Sequence, residues 1–163
     1  MKKIKSIVLI LLLAPLMVFL FPHSAFATFS ITLNFYDIDF GNLNMGDIKD
    51  DVPGIGLTVT CMTDQGNPWQ LRIRTERPLT HAVDPSSFIP NTNLFWYGIS
   101  TSAPMNNSLV KSQEDFTLER TVYTAPGTEG NPGTDITLKF KVIVPRPVQS
   151  GIYNTKIVFT FTE

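Results

Sequence analysis

Histidine and cysteine carry much of the nucleophilic and acid–base chemistry of enzymes, and this chain has few of either. Its 163 residues contain two histidines, His23 and His81, and one cysteine, Cys61. The sequence contains no His-Glu-x-x-His, Cys-x-x-Cys or Gly-x-Ser-x-Gly motif. His81 lies in a proline-rich stretch and is interpreted as a solvated loop residue, while Cys61 is interpreted as a small buried hydrophobic side chain. We therefore predict no catalytic site, no cofactor and no enzymatic activity.

Aspartates form the second group with potential chemistry. Asp37, Asp39, Asp47, Asp50 and Asp51 lie close together in the sequence, and clustered carboxylate oxygens are ligands that calcium prefers. Their spacing matches no EF-hand loop, and apolar residues interrupt the run. A solvated turn is the preferred interpretation, so no metal site is predicted.

Consecutive aromatic residues offer the remaining binding chemistry. Phe95, Trp96 and Tyr97 follow one another in a predicted strand, where successive side chains point to opposite faces. At least one ring must then face outward. We predict Trp96 and Tyr97 as a candidate ligand platform for a glycan, although aromatic residues in such a chain are expected mainly in the core.

The folded elements are predicted to begin after residue 27. Three lysines precede an apolar run from Ile7 to Phe21, and Ser24-Ala25-Phe26-Ala27 follows. This order is typical of a signal peptide cleaved after Ala27. The run has about 15 residues, whereas a bilayer span needs roughly 20. We predict a signal peptide at 1–27, export to the periplasm, cell surface or medium, and no membrane span after cleavage; an uncleaved anchor is the alternative.

The bulk properties of the predicted mature chain exclude some partners. Three of the 13 Lys and Arg residues lie in the signal peptide and none of the 14 Asp and Glu residues does, which leaves a net charge of −4. An acidic chain has no electrostatic attraction to nucleic acid, so no nucleic-acid partner is predicted. The remaining 136 residues match one domain. Because Cys61 is the only cysteine, the domain forms no internal disulfide.

Short alternating runs of β-branched and aromatic residues dominate the sequence after Thr28. The clearest runs are 29–35, 55–62, 69–74, 94–100, 116–124, 136–144 and 152–162. A period of two, with one apolar and one mixed face, is typical of antiparallel strands that bury one face. We predict an all-β fold, an immunoglobulin-like antiparallel β-sandwich of roughly seven to nine strands, with a closed β-barrel as the alternative. Residues 76–93 and 125–134 are predicted surface loops.

Two stretches resemble a known family. Asp39-Phe40-Gly41-Asn42-Leu43 is followed by Leu57-Thr-Val-Thr-Cys61, and the chain closes on Gly151-Ile-Tyr153 and an alternating strand. This order resembles the spore coat protein U-like pilins, which belong to the chaperone–usher pilus subunits. The second cysteine that usually pairs with the one matching Cys61 is absent here. The resemblance implies a sandwich lacking its last strand, completed by the N-terminal strand of the next subunit.

The N-terminal run fits the donor strand that the resemblance implies. Its alternating apolar side chains are Phe29, Ile31, Leu33 and Phe35. We therefore expect residues 28–36 to form a donor strand and 37–163 the sandwich. The protein would be a structural subunit of a fimbrium-like surface fibre, with identical or related subunits, a periplasmic chaperone and an outer-membrane usher as partners. Two alternatives stay open: 28–36 as a strand of its own sandwich, and a stand-alone adhesin or carbohydrate-recognition module.

Overall fold

The computed structural model of the protein describes residues 29–50, 56–64, 66–103, 108–127 and 133–163. The predicted signal peptide, its cleavage site and Asp51 lie outside these residues. Twelve strand segments and one 3-10 turn make up the described elements: β1 Phe29–Leu33, β2 Ile48–Asp50, β3 Leu57–Thr63, β4 Trp69–Thr75, β5 Leu79–His81, β6 Phe88–Ile89, the turn Asn91–Asn93, β7 Leu94–Thr101, β8 Glu114–Asp115, β9 Arg120–Ala125, β10 Thr134–Ile143, β11 Tyr153–Asn154 and β12 Ile157–Thr162.

The first sheet is antiparallel, in the order β1-β3-β10-β7-β8, and β2 also pairs with β10. Apolar and polar residues alternate along most of its central strands, β3 and β10. Along β3 and β10, every second side chain is buried. The apolar side chains among them are Leu57, Val59, Cys61, Ile136, Leu138, Phe140 and Val142. Residues with β-branched or aromatic side chains fill one face of a pleated strand efficiently, which is why these runs form the middle of the sheet.

The second layer consists of two short sheets, β12-β4-β9 and β11-β5-β6. The hydrogen bond from the Glu76 amide to the Lys156 carbonyl, 3.0 Å long, continues the ladder between them. The buried side chains of both layers form one core. The prediction of an all-β sandwich is therefore confirmed, and no sheet of the described residues closes into a barrel.

Residues 76–93 differ from the predicted surface loop. They contain β5, β6 and the 3-10 turn, and Leu79 and Ile89 are buried in the core. His81 is also buried, with 7% of its surface exposed, so its interpretation as a solvated residue is wrong. Strands of two or three residues are too short to show a period, and prolines on both sides hide them further. Within the described residues, no helix has the length and apolar character needed to cross a bilayer.

The His81 ring packs directly over Gly151, which lies two residues before β11. A Cβ atom added to Gly151 would lie 2.1 Å from His81 Nε2. The edge of the ring also meets Tyr153, with 5.1 Å between ring centroids. Only a residue without a side chain allows this approach.

We expect Gly151→Ala to lower the free energy of unfolding by about 1–3 kcal/mol, because the added methyl group must displace a buried ring. Urea or guanidinium unfolding of the purified protein measures the change. The matched control is Ser150→Ala at an exposed neighbouring position, which should stay within about 0.5 kcal/mol of the unsubstituted protein. Equal stability of the two variants would contradict this packing.

Candidate functional site

The N-terminal strand pairs with its own chain. β1 runs antiparallel to β3, with Ile31 opposite Cys61 and Leu33 opposite Val59. The pairing extends one residue further, since the Asn34 amide donates to the Thr58 carbonyl over 3.1 Å. Of the two alternatives for this segment, the single chain adopts the one in which it is a strand of its own sandwich. This strand lies at the edge of the first sheet.

The burial of β1 is incomplete, although every second residue is apolar. Phe29 and Ile31 keep 46% and 38% of their surface exposed, while Leu33 and Phe35 are half-buried against the core. If the second layer packed fully against this edge of the sheet, the large apolar side chains that point inward would be buried between the two layers. The four residues predicted for a donor strand thus lie at the margin of the core.

Strand β12 forms the facing edge of the second layer. Within the described residues it pairs only with β4, and all six of its residues are half-buried. The strand reads Ile-Val-Phe-Thr-Phe-Thr, without a charge or a proline. Natural edge strands are usually shielded by lysines, prolines or bulges, because their unpaired N–H and C=O groups can pair with another chain. β12 has none of these within its length.

The space between β1 and β12 is here called the seam. One end is closed by a stack of Phe29 on Phe161, with 4.0 Å between ring centroids and 9° between ring planes. Phe161 in turn meets the edge of Trp69 at 5.0 Å. Beyond this stack the seam is open, with two cavities of about 350 and 360 Å³. Apolar side chains from both edges line them, among them Ile31, Leu33, Phe35, Ile157 and Phe159.

Cys61 lies beneath the seam, next to Ile31 on the neighbouring strand. Its side chain is buried, and burial raises the pKa of the thiol to about 12. A desolvated thiol stays protonated and is a poor nucleophile. The interpretation of Cys61 as a buried hydrophobic residue is confirmed, and β1 is one of the two strands that flank it.

The predicted ligand platform needs a correction at one of its two residues. Along β7 the buried positions are Leu94, Trp96 and Gly98, so the Trp96 ring lies in the core with no exposed surface. Phe95 and Tyr97 take the outer face and are half-buried. The prediction of an outward Trp96 is therefore wrong. Successive side chains of a strand point to opposite faces, so an inward Trp96 places its neighbours Phe95 and Tyr97 on the outer face.

In the described part of the acidic run, the residues around Asp47 form a turn, whereas Asp50 lies in β2. Asp47 Oδ2 accepts a hydrogen bond from the Asn44 amide over 2.9 Å and lies 3.6 Å from Lys49 Nζ. The bond from Asn44 is the main reason why the pKa of Asp47 lies below its usual value. Among the described residues, no three metal-ligating side chains come together.

The sequence pattern identified the residues of β1 but missed the importance of β12. Alternation predicts that Ile157, Phe159 and Phe161 share one face, and this is the face that packs against the core. It does not tell an edge strand from a central one. The available signal was the lack of charged residues over 157–162, which is unusual for a strand that is exposed at an edge.

Replacement of Trp96 tests whether its ring contributes to the core, and replacement of Tyr97 gives the comparison at a surface position. We expect Trp96→Ala to lower the free energy of unfolding by about 3–5 kcal/mol, because it opens a large cavity between the layers. Tyr97→Ala, on the outer face of the same strand, should cost less than half as much. Chemical unfolding of both variants measures this. A Trp96→Ala protein as stable as the unsubstituted one would show that the ring is not in the core.

Comparison with known proteins adds no family to this description. Neither the protein-family models, the curated proteins nor the solved structures include a match to this chain. The edges of the two layers and the seam between them are the features of the described residues from which a function can be inferred.

Proposed function

We propose that this protein is an exported structural subunit of a surface fibre, and that copies join by exchanging residues 29–35. The observation that carries the proposal is the seam, where two edge strands without charge or proline face each other across open cavities and line them with apolar side chains. Such an edge is a template for strand addition, in which main-chain hydrogen bonds supply affinity and alternate side chains supply specificity.

In the proposed exchange, β1 leaves its own β3 and takes the same place on β3 of the next copy. The antiparallel register that places Ile31 opposite Cys61 is then reproduced between two chains. Exchange of an identical element costs little, because the interactions that break within one chain form again between two chains. Repeated head-to-tail, this pairing gives an open chain of subunits rather than a closed dimer.

The core supports release of the strand. Among the described residues, every fully buried apolar side chain lies at Leu43 or later. Residues 34–42 contain no strand of the fold, so β1 is joined to the sandwich by an irregular segment. Local opening of an element with few buried side chains costs less free energy than unfolding of the whole domain. β1 can therefore separate without disruption of the two-layer core.

The incomplete burial of β1 leaves apolar surface that contact between neighbouring subunits can cover. Complete burial of an aliphatic or aromatic side chain contributes about 1.5–3 kcal/mol. Phe29 and Ile31 leave a large part of this contribution unused, since each keeps more than a third of its surface exposed. A neighbouring subunit that covers the seam would bury this surface, at about 1 kcal/mol for each side chain.

The partners of this proposal are identical or related subunits. The resemblance to chaperone–usher pilins adds a periplasmic chaperone that covers the seam before assembly, and an outer-membrane usher. The alternative is a stand-alone secreted module, and one observation favours it: β1 already pairs with its own chain. The two proposals differ in the chain to which the strand belongs, which a cross-link can decide.

Ile31→Cys places a second thiol opposite Cys61. In the exported protein, treated with an oxidant that takes two electrons and two protons from each pair of thiols, strand exchange should produce disulfides between chains, seen as a ladder of multiples on a non-reducing gel that collapses on reduction. The cross-link forms because paired residues on neighbouring strands bring their Cβ atoms within about 4.5–5.5 Å, which is close to disulfide geometry.

The matched control is Thr32→Cys, whose partner in the register is Thr60 and whose side chain points to the other face. It should give no ladder. A disulfide confined to single chains in the Ile31→Cys protein, at any protein concentration, would contradict exchange and favour the stand-alone module.

A further inference from the structure

A second cleft lies away from the seam, between two loops. Its walls are residues 84–90, which surround β6, and residues 145–149, which lead from β10 to β11. The cleft has a volume of about 610 Å³. This falls within the usual range of small-molecule sites, which combine an apolar lining with a few convergent polar groups. We call it the loop cleft.

One tyrosine hydroxyl joins both walls of the loop cleft. Tyr153 Oη donates a hydrogen bond to the Gln149 carbonyl of one wall. It also lies 3.0 Å from Ser87 Oγ of the other wall, and the serine is the donor there because the tyrosine proton is already used. Tyr153 itself is buried in the core. The hydrogen bonds of this buried tyrosine therefore fix the distance between the two loops.

The His81 ring binds the backbone at the start of the first wall, residues 84–90. Its Nδ1 atom accepts hydrogen bonds from the amides of Val83 and Asp84, at 3.2 and 3.0 Å. A ring nitrogen that accepts two N–H groups carries no proton, so the neutral ring has its hydrogen on Nε2. The buried histidine thus sets the direction in which the chain enters the cleft wall at Asp84.

The loop cleft presents an exposed aromatic ring. Phe88 keeps 52% of its surface exposed, although it belongs to a strand whose other residue, Ile89, is completely buried. Pro90, Pro145 and Pro147 contribute further apolar surface to the same cleft. A flat apolar ring in a cleft that also contains charged side chains is suited to a ligand with one apolar face.

Two charged residues of opposite sign, Asp84 and Arg146, line the same cleft. Asp84 Oδ1 accepts hydrogen bonds from the Ser86 amide and hydroxyl, at 3.0 and 2.6 Å, and these bonds lower the pKa of Asp84, so the group is ionised at neutral pH. Its Oδ2 has no hydrogen-bond partner within the described residues. The Arg146 guanidinium, whose Nη2 would lie 3.0 Å from a Cβ on Gly46, forms no ion pair with any residue that the structure describes.

We propose that the loop cleft binds a pyranose unit of a neutral saccharide. The C–H face of the sugar ring stacks on Phe88, and its hydroxyl groups donate to Asp84 Oδ2 and accept from Arg146. The carboxylate and the guanidinium balance each other in charge, which favours a neutral ligand with many hydroxyl groups over an anion or a cation. This site is independent of strand exchange, because no residue of β1 lines it.

The test is an array of oligosaccharides of glucose, galactose, mannose and N-acetylglucosamine, probed with the labelled full-length protein. We expect binding to at least one of them, and at least a tenfold loss of affinity in Phe88→Ala and in Asp84→Asn. Phe88→Tyr keeps the ring and should retain binding. Val83→Ala, at a position that is 85% exposed outside the cleft, should have no effect.

Circular dichroism spectra that match the unsubstituted protein show that each variant is folded. Absence of binding to all of these saccharides would overturn the proposal. Binding that survives both Phe88→Ala and Asp84→Asn would also overturn it, because the saccharide would then occupy another surface. Neither result bears on strand exchange, which the cysteine cross-link tests separately.

Discussion

Unpaired backbone groups along one side of the sandwich determine which contacts this protein can make with another chain. β1 and β12 are the terminal strands of their layers on this side, and each is hydrogen-bonded on one edge only among the described residues. Their side chains do not seal the space between the layers, apart from the stack of Phe29 on Phe161. An edge of this kind remains open to strand pairing unless something covers it.

The core and the seam divide the molecule into a stable and a labile part. The inward apolar residues of β3, β10, β7 and β4 are buried, and Gly151, which allows His81 to pack, belongs to the same framework. β1 contributes none of the fully buried side chains. The framework can therefore remain folded whichever chain supplies the strand beside β3, and it also holds the two walls of the loop cleft through His81 and Tyr153.

Much of the fold follows from the sequence, because a period of two decides which face of a strand is buried. The runs that became β3, β4, β7 and β10 were predicted in this way. The same rule does not reveal strands as short as β5 and β6, nor that Trp96 rather than Phe95 or Tyr97 points inward. It is also silent on which strands are edges, since that depends on pairing between distant segments. The two walls of the loop cleft come together through one such distant pairing, that of β11 with β5.

Amide hydrogen exchange of the monomeric protein measures whether β1 opens separately from the core. If β1 is a separable edge strand, the hydrogen-bonded amides of residues 29–33 should exchange roughly a hundredfold faster than those of β3 and β10. The opening of β1 would then need about 2.7 kcal/mol less than that of the core. Protection of these amides equal to that of β10 would mean that β1 opens only when the whole domain unfolds, and would contradict the account.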